Sequence, residues 1–201
     1  MKGGSGLPFS DVINPTIANV EQDILQMEKM EAIEMIMDLY GDEVKRFVFT
    51  YVKNIADTED VTQEVLILVY EKLHTFKGNS KLRSWLFAIA ANKCKDYLRS
   101  WQGRNKKLTE KIKNAFSYHD KSMETPESVT LRHQENQQVF QKVLQLPVKY
   151  REIIILYYFH DLTLLEISNS LQIKPGTVRT RLARGREKLK QWLAEIEARD
   201  G

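Results

Sequence analysis

At 201 residues, with 42% hydrophobic residues and a formal net charge of +3, the chain has room for one or two domains that each bury a core. No apolar run approaches the roughly 18–20 residues of a membrane helix, and no basic segment followed by an apolar stretch opens the chain, so no membrane insertion or secretion is expected and the setting should be cytoplasmic. The single cysteine, Cys94, excludes an internal disulfide and a cysteine-cluster metal site; it is expected to be a small packing residue.

Residues 1–26 open with MKGGSG and hold Pro8 and Pro15 with little periodicity, which reads as an N-terminal extension, its first residues resembling an added flexible segment. From Glu28 to about Lys53 apolar residues fall at Ile33, Ile36, Met37, Tyr40, Val44, Phe47, Val48 and Tyr51, a long amphipathic helix with an interruption expected at Gly41. A second helix is expected from about Thr58 to His74. Asp57, Glu59, Asp60 and Glu64 sit near its start, where the helix dipole favours acids, and Val61, Val65, Leu68, Val69 and Leu73 form its apolar face. Residues 77–80 read as a loop. The third helix, Leu82 to Trp101, is apolar nearly all round in its first half and should be buried there, with Trp85 and Phe87 in the core; its second half is basic and polar. Residues 103–129 are polar, with little apolar content, and read as a flexible linker.

A second unit spans 130–199. Its first helix is expected at about 131–145, with Val139, Phe140, Val143 and Leu144 inward, ended by Leu146-Pro147. The run from Val148 to His160 is rich enough in isoleucine to pass for a strand. With helices on both sides and no second strand to pair with, a buried helix is expected. His74, His119, His133 and His160 are scattered and read as surface or packing residues.

The stretch TLLEISNSLQIKPGTVRTRLARGREKLKQWL, Thr163 to Leu193, carries the clearest signal. Thr163 and Glu166 fit a capping box. Pro175-Gly176 interrupts the pattern, and Pro opens helices well. Val178, Leu182, Leu189 and Leu193 then form an apolar stripe, faced by Ile167, Leu171 and Ile173, with Ser168 small enough for two helices to cross. This is a helix-turn-helix. From Lys174 to Lys190 the second helix carries seven cations against one acid, Glu187, a net +6 beside the +3 of the whole chain. Such a helix can enter the major groove and read bases from its N-terminal half, through Arg179, Thr180, Ala183 and Arg184. Lys174, Thr177, Arg181, Arg186 and Lys188 suit phosphates, which fix position and carry little sequence information.

Three stretches resemble the extracytoplasmic-function (ECF, group IV) sigma factors of bacterial RNA polymerase. Asp57 to Glu64, DTEDVTQE, is similar to the acidic motif of the family's region 2.2. Phe76 to Arg99 is similar to regions 2.3 and 2.4, and Leu146 to Leu189 to region 4. The resemblance implies an all-α protein of two small helical domains, residues 27–102 and 130–199, joined by the linker. It implies a non-enzymatic, cofactor-free subunit that binds core RNA polymerase and directs promoter-specific initiation. Asp60, Gln63 and Glu64 would meet the β′ clamp helices, and region 4 the β flap. Phe76, Lys77, Asn79, Ser80 and Lys81 in the loop, with Asn92, Lys93, Asp96 and Arg99 on the helix, would capture the melted −10 element. The helix-turn-helix would read the −35 duplex, and an anti-sigma factor is an expected partner. One departure stands out: Ala88 occupies a position that is usually Arg in the family, where Lys93 and Lys95 could compensate.

Two other readings compete. A stand-alone helix-turn-helix regulator would share the C-terminal unit, but would not need an acidic helix followed by a basic, aromatic one; it would bind symmetric DNA as a dimer. An enzyme would need a catalytic constellation, and the sequence holds no H-E-x-x-H, no phosphate-binding Gly-rich loop and no metal-ligand cluster.

Overall fold

The computed structural model describes residues 15–112 and 139–200. Its elements are α1 (Pro15–Gln26), α2 (Lys29–Val52), α3 (Ile55–Lys72), a 3₁₀ turn at Leu73–Thr75, α4 (Leu82–Ile112), α5 (Val148–Tyr158), α6 (Leu164–Leu171) and α7 (Pro175–Asp200), with 139–145 also helical. Among the described residues there is no strand, and the fold is all-α as expected.

Local chemistry sets the helix ends. The Glu28 carboxylate accepts from the Met30 N–H and starts α2; Lys53, at φ 59°, ends it in the left-handed region. Asn54 then caps α3 by accepting from the Asp57 N–H at 2.9 Å. Helix α3 therefore starts three residues before the sequence pattern suggests, because the cap is Asn54 rather than the acids that follow it. Thr163 and Glu166 form the expected reciprocal capping box, with the Thr163 N–H donating to Glu166 Oε2 at 2.7 Å. Gln172, at φ 54°, closes α6, and Pro175 opens α7.

Several expectations need correction. Residues 15–26 form a helix packed on α2, with Ile24 buried. Gly41 does not break α2, which runs unbroken from Lys29 to Val52 because buried residues on both sides of the glycine, Ile36 and Tyr40 before it and Val44 and Phe47 after it, hold the helix together. Helix α4 continues to Ile112, ten residues into the expected linker. Met37 and Val139, read as inward, are exposed. The remaining linker residues, and the start of the helix expected from 131, lie outside the described residues. The isoleucine-rich run is helix α5, whose seven residues from Tyr150 to Leu156 are all buried.

In the N-terminal unit Phe47, Val65, Leu86, Phe87 and Ala90 are inaccessible to solvent. Cys94 packs with them, and burial pushes its thiol up to about 12. In the C-terminal unit α6 lies across α7 through Ile167, Leu171, Val178 and Leu182. Buried Arg151 ties this unit to the preceding helix by donating to the carbonyls of Leu144 and Leu146, at 2.5 and 3.2 Å. The two units also touch, α4 lying against α6.

Candidate nucleic-acid interface

Helix α7 has two faces because its apolar residues recur at helical spacing. Val178 and Leu182 point into the unit and are buried, while Arg179, Thr180, Ala183 and Arg184 point out and are exposed. One turn further on, Gly185 is buried: a Cβ there would stand 3.0 Å from Ile154 Cγ1 and 3.5 Å from Tyr150 Cβ. The sequence pattern points to Ser168 as the small residue of the crossing. Ser168 is buried on α6 and also donates to the Ile173 carbonyl at 2.6 Å, stitching the turn, while the close approach of α7 to α5, a different crossing, depends on Gly185.

The expected base-reading residues lie together on the first turns of α7. Thr180 donates its hydroxyl proton to the Gly176 carbonyl at 2.9 Å, which leaves its oxygen able to accept. Arg184 lies beside the Tyr150 phenol and holds its pKa below the ordinary value. Among the expected phosphate contacts, Lys174 and Lys188 are exposed and Thr177 half-buried at the helix start. Arg186 spreads over the rings of Tyr157 and Tyr158, at 5.4 and 5.3 Å, an aromatic support that orients the guanidinium. Arg181 differs from the rest: it is half-buried and its Nη1 lies 3.5 Å from Glu152 Oε1.

The N-terminal unit holds a second cluster. Phe76, expected in the −10 set, is buried, with its ring 5.6 Å from that of Trp85; it is floor rather than surface. Trp85 is half-buried, donating from Nε1 to Thr75 Oγ1 at 3.2 Å, and Phe87 is core. Lys77, Asn79, Ser80 and Lys81 are exposed around Gly78, whose φ of +70° the tight loop requires. Glu21, on α1, accepts the Leu82 N–H at 2.7 Å and so caps α4 from across the unit. Between α1 and the loop lies a cleft of about 360 Å³ walled by Ile24, Leu25, Lys29, His74, Phe76 and Lys77, among others.

On α4, Asn92, Asp96 and Arg99 share one exposed stripe, and Arg99 pairs with Asp96 at 2.6 Å. Lys93 is half-buried against Glu64 of α3, in an ion pair. Tyr97 donates to Asp57 at 2.7 Å in the same groove, where Asp60 is also exposed; Gln63 is exposed elsewhere on α3. Of the residues expected for the polymerase, Asp60 and Glu64 line the α3–α4 groove, and of those expected for −10 DNA, Lys93 and Asp96 do; Phe76 and Lys77 line the cleft beside α1 instead. Ala88 is half-buried; Lys93 and Lys95, which could replace a cation there, are both held by carboxylates, Glu64 and Glu152. Sequence reasoning missed Gly185, Glu21, and Tyr157 and Tyr158. Only Gly185 had a local signal, a glycine inside a strong helical pattern.

Comparison with known proteins follows this geometry. Residues 36–104 match the family described as Sigma-70 region 2, and residues 136–189 match Sigma-70, region 4. The chain is 32% identical over 184 residues to "ECF RNA polymerase sigma factor SigW" of Bacillus subtilis, covering 88% of this chain and 98% of that one. It is 32% identical over 168 residues to "ECF RNA polymerase sigma-E factor" of Escherichia coli K12, covering 81% and 87%. Among solved structures, CnrH in complex with the cytosolic domain of CnrY aligns with a TM-score of 0.61 at 18% identity, over 90% of this chain and 99% of that one. RpoE of Bartonella quintana, crystallised with the anti-sigma factor NepR, aligns at 0.60 and 19% identity, over 80% and 96%. These two likenesses establish the fold.

Proposed function

The chain belongs to the ECF sigma factors of the sigma-70 family, which act in transcription initiation, and from that premise we propose how its surfaces divide the work. The C-terminal unit, 130–199, reads the −35 duplex. Arg179, Thr180, Ala183 and Arg184 meet base edges; Lys174, Thr177, Arg186 and Lys188 take phosphates. The observation that carries this reading is the exposed cationic face of α7, fixed from behind by Val178, Leu182 and Gly185. The anionic backbone supplies much of the affinity and the arginines supply the choice of base.

The N-terminal unit, 27–102 together with α1, captures the melted −10 strand. Lys77, Asn79, Ser80 and Lys81 grip the strand, the adjoining cleft takes an unstacked base above the Phe76 floor, and Asn92, Asp96 and Arg99 continue the path. Asp60, Gln63 and Glu64 present carboxylate and amide groups to the β′ clamp helices, and the C-terminal unit meets the β flap. The chain itself catalyses nothing and works in the cytoplasm as a subunit of RNA polymerase. An anti-sigma factor is its expected inhibitor, in keeping with the complexes in which its structural neighbours were solved.

Multi-round transcription with core RNA polymerase on randomised promoters tests this. Transcripts that appear only with this chain should share a −35 and a −10 element. Loss of polymerase dependence, with tight salt-sensitive binding of the chain alone to a symmetric duplex, would instead support a stand-alone regulator.

A further inference from the structure

The loop assigned to the −10 strand does not hold its own shape. Helix α4 begins at Leu82, and the Trp85 N–H donates to the Lys81 carbonyl at 3.2 Å, which makes Lys81 the capping residue. A lysine side chain has no acceptor, so it leaves the first amide of the helix without a local partner. That amide is met from 61 residues away: Leu82 N–H donates to Glu21 Oε1, on α1, at 2.7 Å. One helical turn further along α1, Leu25 closes on the loop itself. A Cβ placed on Gly78, at φ +70°, would stand 3.0 Å from Leu25 Cδ1. Residues one turn apart share a face of a helix, so Glu21 and Leu25 meet the loop together, while Ile24 between them is buried and seats α1 on the core.

The entry of the loop is held by α4. The Phe76 ring lies 5.6 Å from that of Trp85, whose Nε1 donates to Thr75 Oγ1 at 3.2 Å. Its middle and its exit are held by α1, at Gly78 and Leu82. Between these points Lys77, Asn79 and Ser80 are exposed, and they bury too little to order the loop by themselves. A loop that holds the binding shape for only part of the time binds more weakly in proportion to that fraction. The charge of Glu21 also needs an explanation beside a path for a polyanion, since a bare carboxylate would repel phosphate. Bonded to the first amide of α4, it lies at the positive end of that helix, where its charge is offset.

We propose that Glu21 and Leu25 are positioning residues for promoter opening: α1 braces the 77–81 loop in the shape that receives the unstacked −10 strand, Glu21 through the Leu82 amide and Leu25 against Gly78. The proposal rests on the reading of that loop as the −10 surface. Glu21 acts through the loop alone. Leu25 also walls the cleft beside Phe76, so it fixes the width of the space offered to a base as well as the loop that borders it.

The test uses holoenzyme assembled from core RNA polymerase and the full chain, with a promoter recovered from the randomised library. Two probes are compared, a fork-junction DNA with a single-stranded −10 element and a −35 duplex. Glu21→Ala should weaken capture of the fork by about tenfold, the effect of losing a charged hydrogen bond, and leave the −35 duplex unchanged. Glu21→Gln keeps an acceptor without the charge and should restore binding to within about twofold. Leu25→Ala should give a smaller loss on the fork alone. Fork capture by Glu21→Ala equal to that of the natural chain would overturn the brace, and so would equal losses from the Ala and Gln variants, which would place the effect in the charge. Hydrogen exchange of the free chain guards against a folding defect. In Glu21→Ala the Leu82 amide should lose protection while the amides of Phe47 and Leu86 keep theirs; an unchanged Leu82 amide would overturn the proposal. If the natural chain supports no polymerase-dependent initiation, the proposed function fails, and exchange at Leu82 then decides by itself whether α1 braces the loop.

Discussion

The two cationic surfaces differ in what their cations touch. On the −10 side Lys93 lies against Glu64, Arg99 against Asp96 and Lys81 against Glu166. Just before α7 and along it, Lys174, Arg179, Lys188 and Lys190 have no acidic partner among the described residues, and Arg181 reaches one, Glu152. Within its own unit the first surface is only partly balanced, through Lys93 and Arg99, with Lys77 exposed and Lys81 met only by Glu166 of the other unit, and the second projects a larger net field. The more balanced surface gains less from counterion release and depends more on fit to an unstacked strand; a projecting one attracts any duplex and then selects among sequences. Initiation by a subunit with one surface of each kind should therefore begin with polymerase bringing the more balanced surface to already melting DNA.

The largest expected effect undermines the N-terminal side. Phe87→Ala removes a fully buried ring that meets Phe47 at 5.0 Å and His160 at 3.9 Å, and should cost about 3–5 kcal/mol, read from the denaturant midpoint. Next is the base-reading claim. Arg184→Ala should cost about 1–3 kcal/mol at one −35 position and little elsewhere, whereas Lys188→Ala should weaken binding on all sequences and reduce the salt slope by about one. Competition binding with single-base variants separates the two; equal loss of selectivity would erase the division. Smaller still, Lys93→Ala should change binding of a −10 single strand by less than about 1 kcal/mol and shift the salt slope less than Lys188→Ala, because Glu64 already neutralises it. A larger slope change from Lys93 would break the contrast between the surfaces.

The mildest effect is that of pH. Burial holds His160 below the ordinary histidine range; Glu43 opposes the shift, and Arg83 and Arg46 reinforce it. The unfolded chain takes up a proton there more readily, so the folded state is favoured above pH of about 6.5 and weakens as pH falls below it. Glu43 acts in the same direction. Burial alone would raise its pKa, but bonds from His160 and Arg83 hold it below the carboxylate norm, so its contribution is lost as pH falls further. The thermal midpoint of the natural chain, followed from pH 8 to 5.5, should decline, and His160→Phe should flatten the upper part of that decline.

What could be read from sequence was local. The capping box of Thr163 and Glu166 and the stripe of Val178 and Leu182 each lie within a few turns and sit where the pattern puts them, whereas α3 opens at Asn54, so that of the acids read at its start only Asp57 stands in the first turn. The features missed depend on distant neighbours. Helix α1 is fixed by Glu21 bonding an amide 61 residues away. Phe76 stands in a loop-like stretch, and only the packing of Trp85 and α1 makes it floor. The acids that neutralise Lys93 and Lys81 lie 29 and 85 positions off, and a charge count along the chain pairs neither. Seven cations from Lys174 to Lys190 can be counted in the sequence, but counting could not reveal that Arg181 points inward to Glu152.

Photo-crosslinking in the assembled polymerase–promoter complex tests the central assignment most directly. A photoreactive residue at position 184 should label the −35 duplex, and one at position 79 the non-template strand of the −10 element. Labelling of the same DNA element from both positions, or of −10 DNA from position 184, would contradict it.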